Sequence, residues 1–159
     1  MAKEKLQIIS SFMVYDHEKE LNKDEQLLIL KAKEASKKAY APYSNFHVGA
    51  AILLSNNEIV SGNNQENSAY PSGLCAERVA VFYAGSLHPD CEIKCISIYC
   101  DTDRPISPCG ACRQALIEYE QKQKNKIKVI LCSKENKVIT SESISAFLPL
   151  QFDSSFLKK

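Results

Sequence analysis

The sequence predicts an α/β protein with one mixed sheet covered by helices on both faces. Three observations predict it. Stretches with apolar residues at helical spacing are interleaved with short runs rich in Val, Ile and Leu. Read in order, the elements run α-β-β-α-β-α-β-β-α. The length of 159 residues suits one domain able to bury its own core.

The elements follow in chain order. Residues 1–22 read as an N-terminal extension with at most partial helical character, and residues 23–159 as a single domain. A helix is predicted from Asp24 to Ala41, where Leu28, Ala32, Ala35 and Ala39 recur at helical spacing and lysines and glutamates take the other side. Pro42 should end it, because the residue before a proline avoids the helical region. "HVGAAILL" reads as a strand and "EIVSG" as its hairpin partner across the turn-rich "SNNE". The long polar loop "NNQENSAYPSG" leads to helix "CAERVAVFYAG", ending at Gly85. A loop of this length in a compact domain is usually functional. "IKCISIYC" is a strand, "CGACRQALIEYEQ" a helix, "KIKVILC" a strand with "KVIT" as its partner, and "SISAFLP" a last short helix. There is no internal repeat, low-complexity tract or linker.

Bulk properties exclude several function classes. The chain is 45% hydrophobic and 25% charged, with a formal net charge of +1. Its lysines are scattered, so the basic surface that holds a polynucleotide backbone is not suggested. No apolar run approaches the roughly 20 residues of a membrane helix. The N-terminus lacks a signal core and cleavage site, so a cytosolic or nuclear protein is expected. Seven cysteines are an odd number, which in a reducing compartment favours free thiols and metal ligands over bridges.

Three of those cysteines carry a pattern. Cys109 and Cys112 are three apart at a helix start, which puts both sulfurs on one face, able to hold one metal. Cys75 also opens a predicted helix. Unpaired N–H groups and the helix dipole favour a thiolate there, by roughly 0.3–1 kcal/mol at exposed sites. Three sulfurs and a water would complete a tetrahedral catalytic zinc. Three thiolates on a dication leave a net negative charge, which works against acidifying that water. The helix dipoles and Arg78, within reach of a sulfur, would offset part of it. Glu77, two residues after Cys75, could accept the water's proton. Taken singly these residues say little. A lone CxxC is as readily a redox pair, half of a structural zinc site, or chance; a lone Cys75 is a small buried hydrophobe, and a lone Glu77 a solvated helix residue. The combination of CxE with PCxxC on the next helix is far more specific.

Over approximately residues 23–152 the chain resembles the small, homotetrameric, zinc-dependent cytidine deaminases. The likeness rests on "YAPYSNFHVGAAIL", "GNNQENSAYPSGLCAER", "SPCGACRQ" and "LPLQF". It implies a three-layer α/β/α sandwich around a mixed five-stranded sheet, and one zinc per chain on Cys75, Cys109 and Cys112. It implies hydrolytic deamination: activated water adds to C4 of cytosine, ammonia leaves, and cytidine or deoxycytidine becomes uridine or deoxyuridine. Glu77 would be the proton carrier. Asn64 and Glu66 match a pair resembling a clamp on the ribose 3′-hydroxyl, although two loop residues bonding their own turn is the plainer alternative. Phe46 matches an aromatic lying against the pyrimidine; beside a strand, a Phe is more often core. The Ala76 N–H would meet the base carbonyl and the Ser107 carbonyl the exocyclic amine. Tyr70 shares the clamp's loop. Phe152 matches a C-terminal aromatic that enters a neighbouring subunit's pocket. Arg78 and Gln114 resemble residues standing just behind the metal ligands. The chain departs at Gln65, where an aliphatic residue is usual, and at Val79, where threonine is common. Blasticidin-type deaminases share the zinc motif, but the ribose-clamp residues argue against that rival. A closed structural zinc knot would need a fourth protein ligand, and none stands at a suitable spacing.

Overall fold

The computed structural model describes residues 3–157. Residues 1–2 of the predicted extension and 158–159 of the predicted domain lie outside them. The elements are β1 (Met13–Tyr15), α1 (Lys23–Ser36), β2 (Val48–Leu54), β3 (Ile59–Asn63), α2 (Ala76–Leu87), β4 (Ile93–Cys100), α3 (Gly110–Gln123), β5 (Lys128–Cys132) and β6 (Val138–Ser141). They form a single sheet in the order β1-β6-β5-β4-β2-β3. β4 and β5 pair in parallel and the other neighbours are antiparallel.

The expectation of five strands is corrected to six. The additional strand, β1, comes from the predicted extension and pairs with the outer edge of β6, Met13 opposite Thr140. Three residues at a sheet edge carry too little alternation to be seen in sequence. The extension's other ordered turn, Glu18–Glu20, is a 3₁₀ helix with His17 and Glu20 forming a reciprocal cap. Both predicted hairpins, β2–β3 and β5–β6, are present.

Alternation along the strands sorts side chains into two cores. Ala50, Ile52, Leu54, Ile96, Ile98, Val129 and Leu131 face α2 and α3. Ala51, Cys95, Ile130 and Cys132 face α1 through Leu28, Ile29 and Ala32. Cys100 and Cys132, the last residues of β4 and β5, are both buried.

Three helices differ from the sequence prediction, the first two for tertiary reasons. α1 stops at Ser36, not Ala41. Tyr40 is drawn into extended pairing with the long polar loop, donating to Asn64 O at 3.0 Å and accepting from Glu66 N at 2.9 Å. α2 runs past Gly85 to Leu87. Gly85 is there for closeness rather than termination: a Cβ on it would meet the Tyr119 hydroxyl of α3 at 2.3 Å. The last predicted helix is a single 3₁₀ turn, Ile144–Phe147.

Close approach also explains Gly49 in the middle of the sheet. A Cβ there would stand 2.0 Å from the carbonyl oxygen of Ala32 and 2.5 Å from Ser36 N, both backbone atoms of α1. Over-packing a core costs about 1–3 kcal/mol and occasionally more. A clash with backbone cannot be relieved by turning a side chain. Gly49→Ala is therefore expected to cost about 3 kcal/mol or more in urea unfolding, and an unchanged midpoint would show that α1 can slide off the sheet freely.

Candidate metal centre and cleft

Two helices deliver the sulfurs. Cys75 is the N-cap of α2 and Cys109 the N-cap of α3, both with extended backbone and neither using its side chain as a cap. Their sulfurs are therefore free to turn towards each other in front of two helix N-termini. Cys112 adds a third from the first turn of α3 and is wholly buried. Cys75 Sγ lies 3.8 Å from Cys109 Sγ, which lies 3.4 Å from Cys112 Sγ, and all three fall within 4.8 Å of one another. Thiolates at about 2.3 Å from a tetrahedral zinc would sit about 3.8 Å apart. The donor set and its spacing fit zinc, and they leave one corner of the tetrahedron without a protein ligand among the described residues.

The electrostatics favour a thiolate at Cys75. The Cys112 hydrogen bond, then the Arg78 guanidinium, bring the Cys75 thiol down to about 5. Arg78 Nη2 stands 3.9 Å from Cys75 Sγ and 3.4 Å from Gly73 O, so the expected thiolate partner is in place. The hydrogen bond with Cys75, then burial, push the Cys112 thiol well up. Glu77 is 4% exposed, and burial raises its carboxyl, with the negative Cys75 sulfur acting in the same direction.

Cys75, Cys109 and Glu77 line a cleft of about 570 Å³, with Cys112 buried behind them. Of the residues singled out in the sequence, Phe46, Asn64, Glu66, Tyr70, Ala76, Arg78 and Ser107 all line it. Phe46 is thus cleft wall and not core, at 42% exposed. Tyr70 stands at the mouth, edge-on to Tyr43 with ring centroids 6.3 Å apart.

Asn64 and Glu66 have a second task that sequence left open. Asn64 Oδ1 accepts from Val48 N and its Nδ2 donates to Phe46 O, both at 2.8 Å. Glu66 accepts from Tyr43 N at 2.9 Å, from Ser44 N at 3.3 Å and from the Ser44 hydroxyl. The Ser44 hydroxyl in turn accepts from Phe46 N at 3.0 Å. The pair therefore braces the segment that presents Phe46. Each side chain keeps spare capacity, since an amide offers two donors and two lone pairs and a carboxylate about four acceptor sites. Ser44 and Tyr43 were not singled out in the sequence. Their signal was their place in the stretch "YAPYSNFHVGAAIL" that carries the family likeness.

Besides the buried Cys112, two of the expected residues, Phe152 and Gln114, do not line this chain's cleft. Phe152 is exposed and stacked on Phe156, with ring centroids 5.7 Å apart. Gln114 donates to Phe152 O at 3.1 Å.

Residues 22–127 match the model of the cytidine and deoxycytidylate deaminase zinc-binding region. The chain belongs to that family. A cytidine deaminase of Halalkalibacterium halodurans is 45% identical over 95 residues, 60% of this chain and 71% of that protein. A probable cytidine deaminase of Dictyostelium discoideum is 36% identical over 127 residues, 79% of this chain and 82% of its own. The crystal structure of a cytidine deaminase from Burkholderia pseudomallei superposes with a TM-score of 0.71 at 40% identity, covering 79% of this chain and 97% of that one. Zinc is the cofactor, and the matched zinc-binding region contains all three sulfurs, a group that could hold it.

Proposed function

We propose that the chain hydrolyses cytidine and deoxycytidine to uridine and deoxyuridine with release of ammonia, in the salvage of pyrimidine nucleosides. The observation that carries this reading is a cluster of three convergent sulfurs that opens, through Cys75 and Cys109, beside a buried carboxyl on one nucleoside-sized cleft. When bound, zinc supplies Lewis-acid activation of water near neutral pH. The chain's own residues do the rest. Glu77 takes a proton from the attacking water and gives it to N3 of the pyrimidine; it then takes the remaining proton from the new C4 hydroxyl and delivers it to the departing amine, so that C4=O forms as ammonia leaves. Burial favours its protonated form, which makes it a ready donor in the later steps.

The Ala76 N–H, unpaired in the first turn of α2, faces the cleft for the base carbonyl. The Ser107 carbonyl receives the exocyclic amine, Phe46 lies against the ring, and the spare groups of Asn64 and Glu66 take the 3′-hydroxyl. Tyr70 closes the mouth. Phe152, exposed outside its own cleft, suits the cleft of a neighbouring subunit, and a homotetramer with shared sites is the assembly we infer. Free thiols at all seven cysteines fit a reducing cytoplasm. No helix among the described residues is long and apolar enough to cross a membrane.

The reading is tested by metal analysis beside a panel of cytidine, deoxycytidine, cytidine monophosphate, adenosine and blasticidin, followed by the absorbance change of the base. About one zinc per chain is expected, following the single three-sulfur site. Both cytidine and deoxycytidine should react, because the clamp addresses the 3′ and not the 2′ hydroxyl. Zinc present with turnover of blasticidin alone would move the chain to the rival class.

A further inference from the structure

Arg113 follows Cys112 on α3, a position where an arginine could point into solvent. Its guanidinium instead turns back over the helix start and spends three donors on two separate stretches of the chain, residues 107–108 and Phe147. Nε donates to Pro108 O at 2.7 Å, Nη2 to Ser107 Oγ at 2.9 Å and Nη1 to Phe147 O at 2.9 Å. A guanidinium is planar and its donors are rigid, so partners bound by it are fixed relative to one another.

Those partners frame the cleft. Ser107 lines it, and Ser107 and Pro108 lead directly into Cys109, the sulfur-bearing cap of α3. Proline fixes its own φ, and holding its carbonyl also fixes the plane of the Pro108–Cys109 peptide. Phe147 belongs to the C-terminal 3₁₀ turn. That turn is braced in its own right by the N-terminal segment: Phe12 packs edge-on against Phe147 at 4.9 Å, and Ser10 Oγ donates to Ala146 O at 2.8 Å. One cation thus ties the loop before Cys109 to a turn that the N-terminal arm holds down.

We propose that Arg113 is a positioning residue for the deamination. It sets the Ser107 backbone at the height where its carbonyl meets the exocyclic amine, without itself lining the cleft. The proposal rests on the deaminase reading above and adds a residue to it. It also gives the arm a task, as the far brace of the same clamp.

A purely structural clamp and a positioning clamp predict different outcomes. Lysine keeps the charge and most of the bulk but cannot reach three coplanar acceptors from one ammonium. Arg113→Lys, Ser107→Ala and the double variant are compared for zinc per chain, Tm, and KM and kcat on cytidine. Arg113→Lys is expected to keep zinc and stay folded, and to lose about tenfold in kcat/KM, chiefly through KM. The double variant should be little worse than Arg113→Lys, since contacting residues acting through one bond are not additive. Kinetics within twofold of wild type at full zinc would overturn the proposal. So would a loss that tracks zinc or folded fraction, or strict additivity in the double variant. Wild-type protein with zinc but no turnover of either nucleoside would overturn the deaminase reading, and this proposal with it. A working wild type with an indifferent Arg113→Lys would sink this proposal alone.

Discussion

Glu77→Gln is expected to retain zinc and the folding midpoint while kcat on cytidine falls by about 10²–10⁴-fold, the usual contribution of a general acid–base group. Three features make the test clean. Glutamine has the shape of glutamate, so the cleft floor keeps its form around a side chain that is 4% exposed. The sulfurs are untouched, so metal affinity should hold. Burial already works against the carboxylate, so a neutral amide in its place leaves no new unpaired charge. What the amide cannot do is take a proton from water and return it to N3 and the leaving amine. The loss should therefore fall on kcat, with KM for cytidine within a few-fold, as for an interaction made on the way to the transition state. Uridine formation measured on protein of known zinc content decides it. A rate near wild type would remove Glu77 from the mechanism.

What was legible in the sequence was local. Cys75, Cys109 and Cys112 could be placed at helix starts because CxE and PCxxC each sit at the head of an apolar periodic stretch. Helix starts are where a sulfur gains from unpaired N–H groups. That Cys75 meets Cys109 is a long-range fact, set by the sheet. α2 and α3 lie on the same face, α3 in the crossover between parallel β4 and β5, and both bring their N-termini to the cleft. No spacing argument contains that, and only the resemblance to a family supplied it. The same division explains the misses. β1 has three residues and its only neighbour lies more than 120 positions away. α1 ends early because Tyr40 pairs with residues 64–66. Arg113 was passed over because one of its acceptors, Phe147 O, is 34 residues distant, and a guanidinium's partners leave no mark on periodicity. Only the resemblance marked Asn64 and Glu66 as a pair for a ligand, and their bracing of the Phe46 segment was not legible, because side-chain bonds to backbone 16–23 residues earlier have no local signature.

Cys109→Ala is expected to abolish zinc binding and turnover together, and to lower the melting temperature to that of chelator-treated wild type. The choice of cysteine matters. Cys112 is wholly buried, so truncating it would open a cavity and confound loss of metal with loss of packing. Cys109 is exposed, and its thiol is there for the other two sulfurs rather than for the core. Any stability lost on its removal is then stability the metal had supplied. Binding energies for small zinc-folded peptides reach about 10–16 kcal/mol, but here two apolar cores stand without the ion. A fall well short of unfolding is therefore expected. Re-addition of zinc should restore chelated wild type and leave Cys109→Ala inactive. Cys132→Ala serves as the control, since it is buried on the α1 side of the sheet, away from the sulfur cluster. It should lose a little packing energy and keep both metal and activity. Full zinc content in Cys109→Ala would mean that the ion is held by other groups, and the cleft would then have to be assigned a different chemistry.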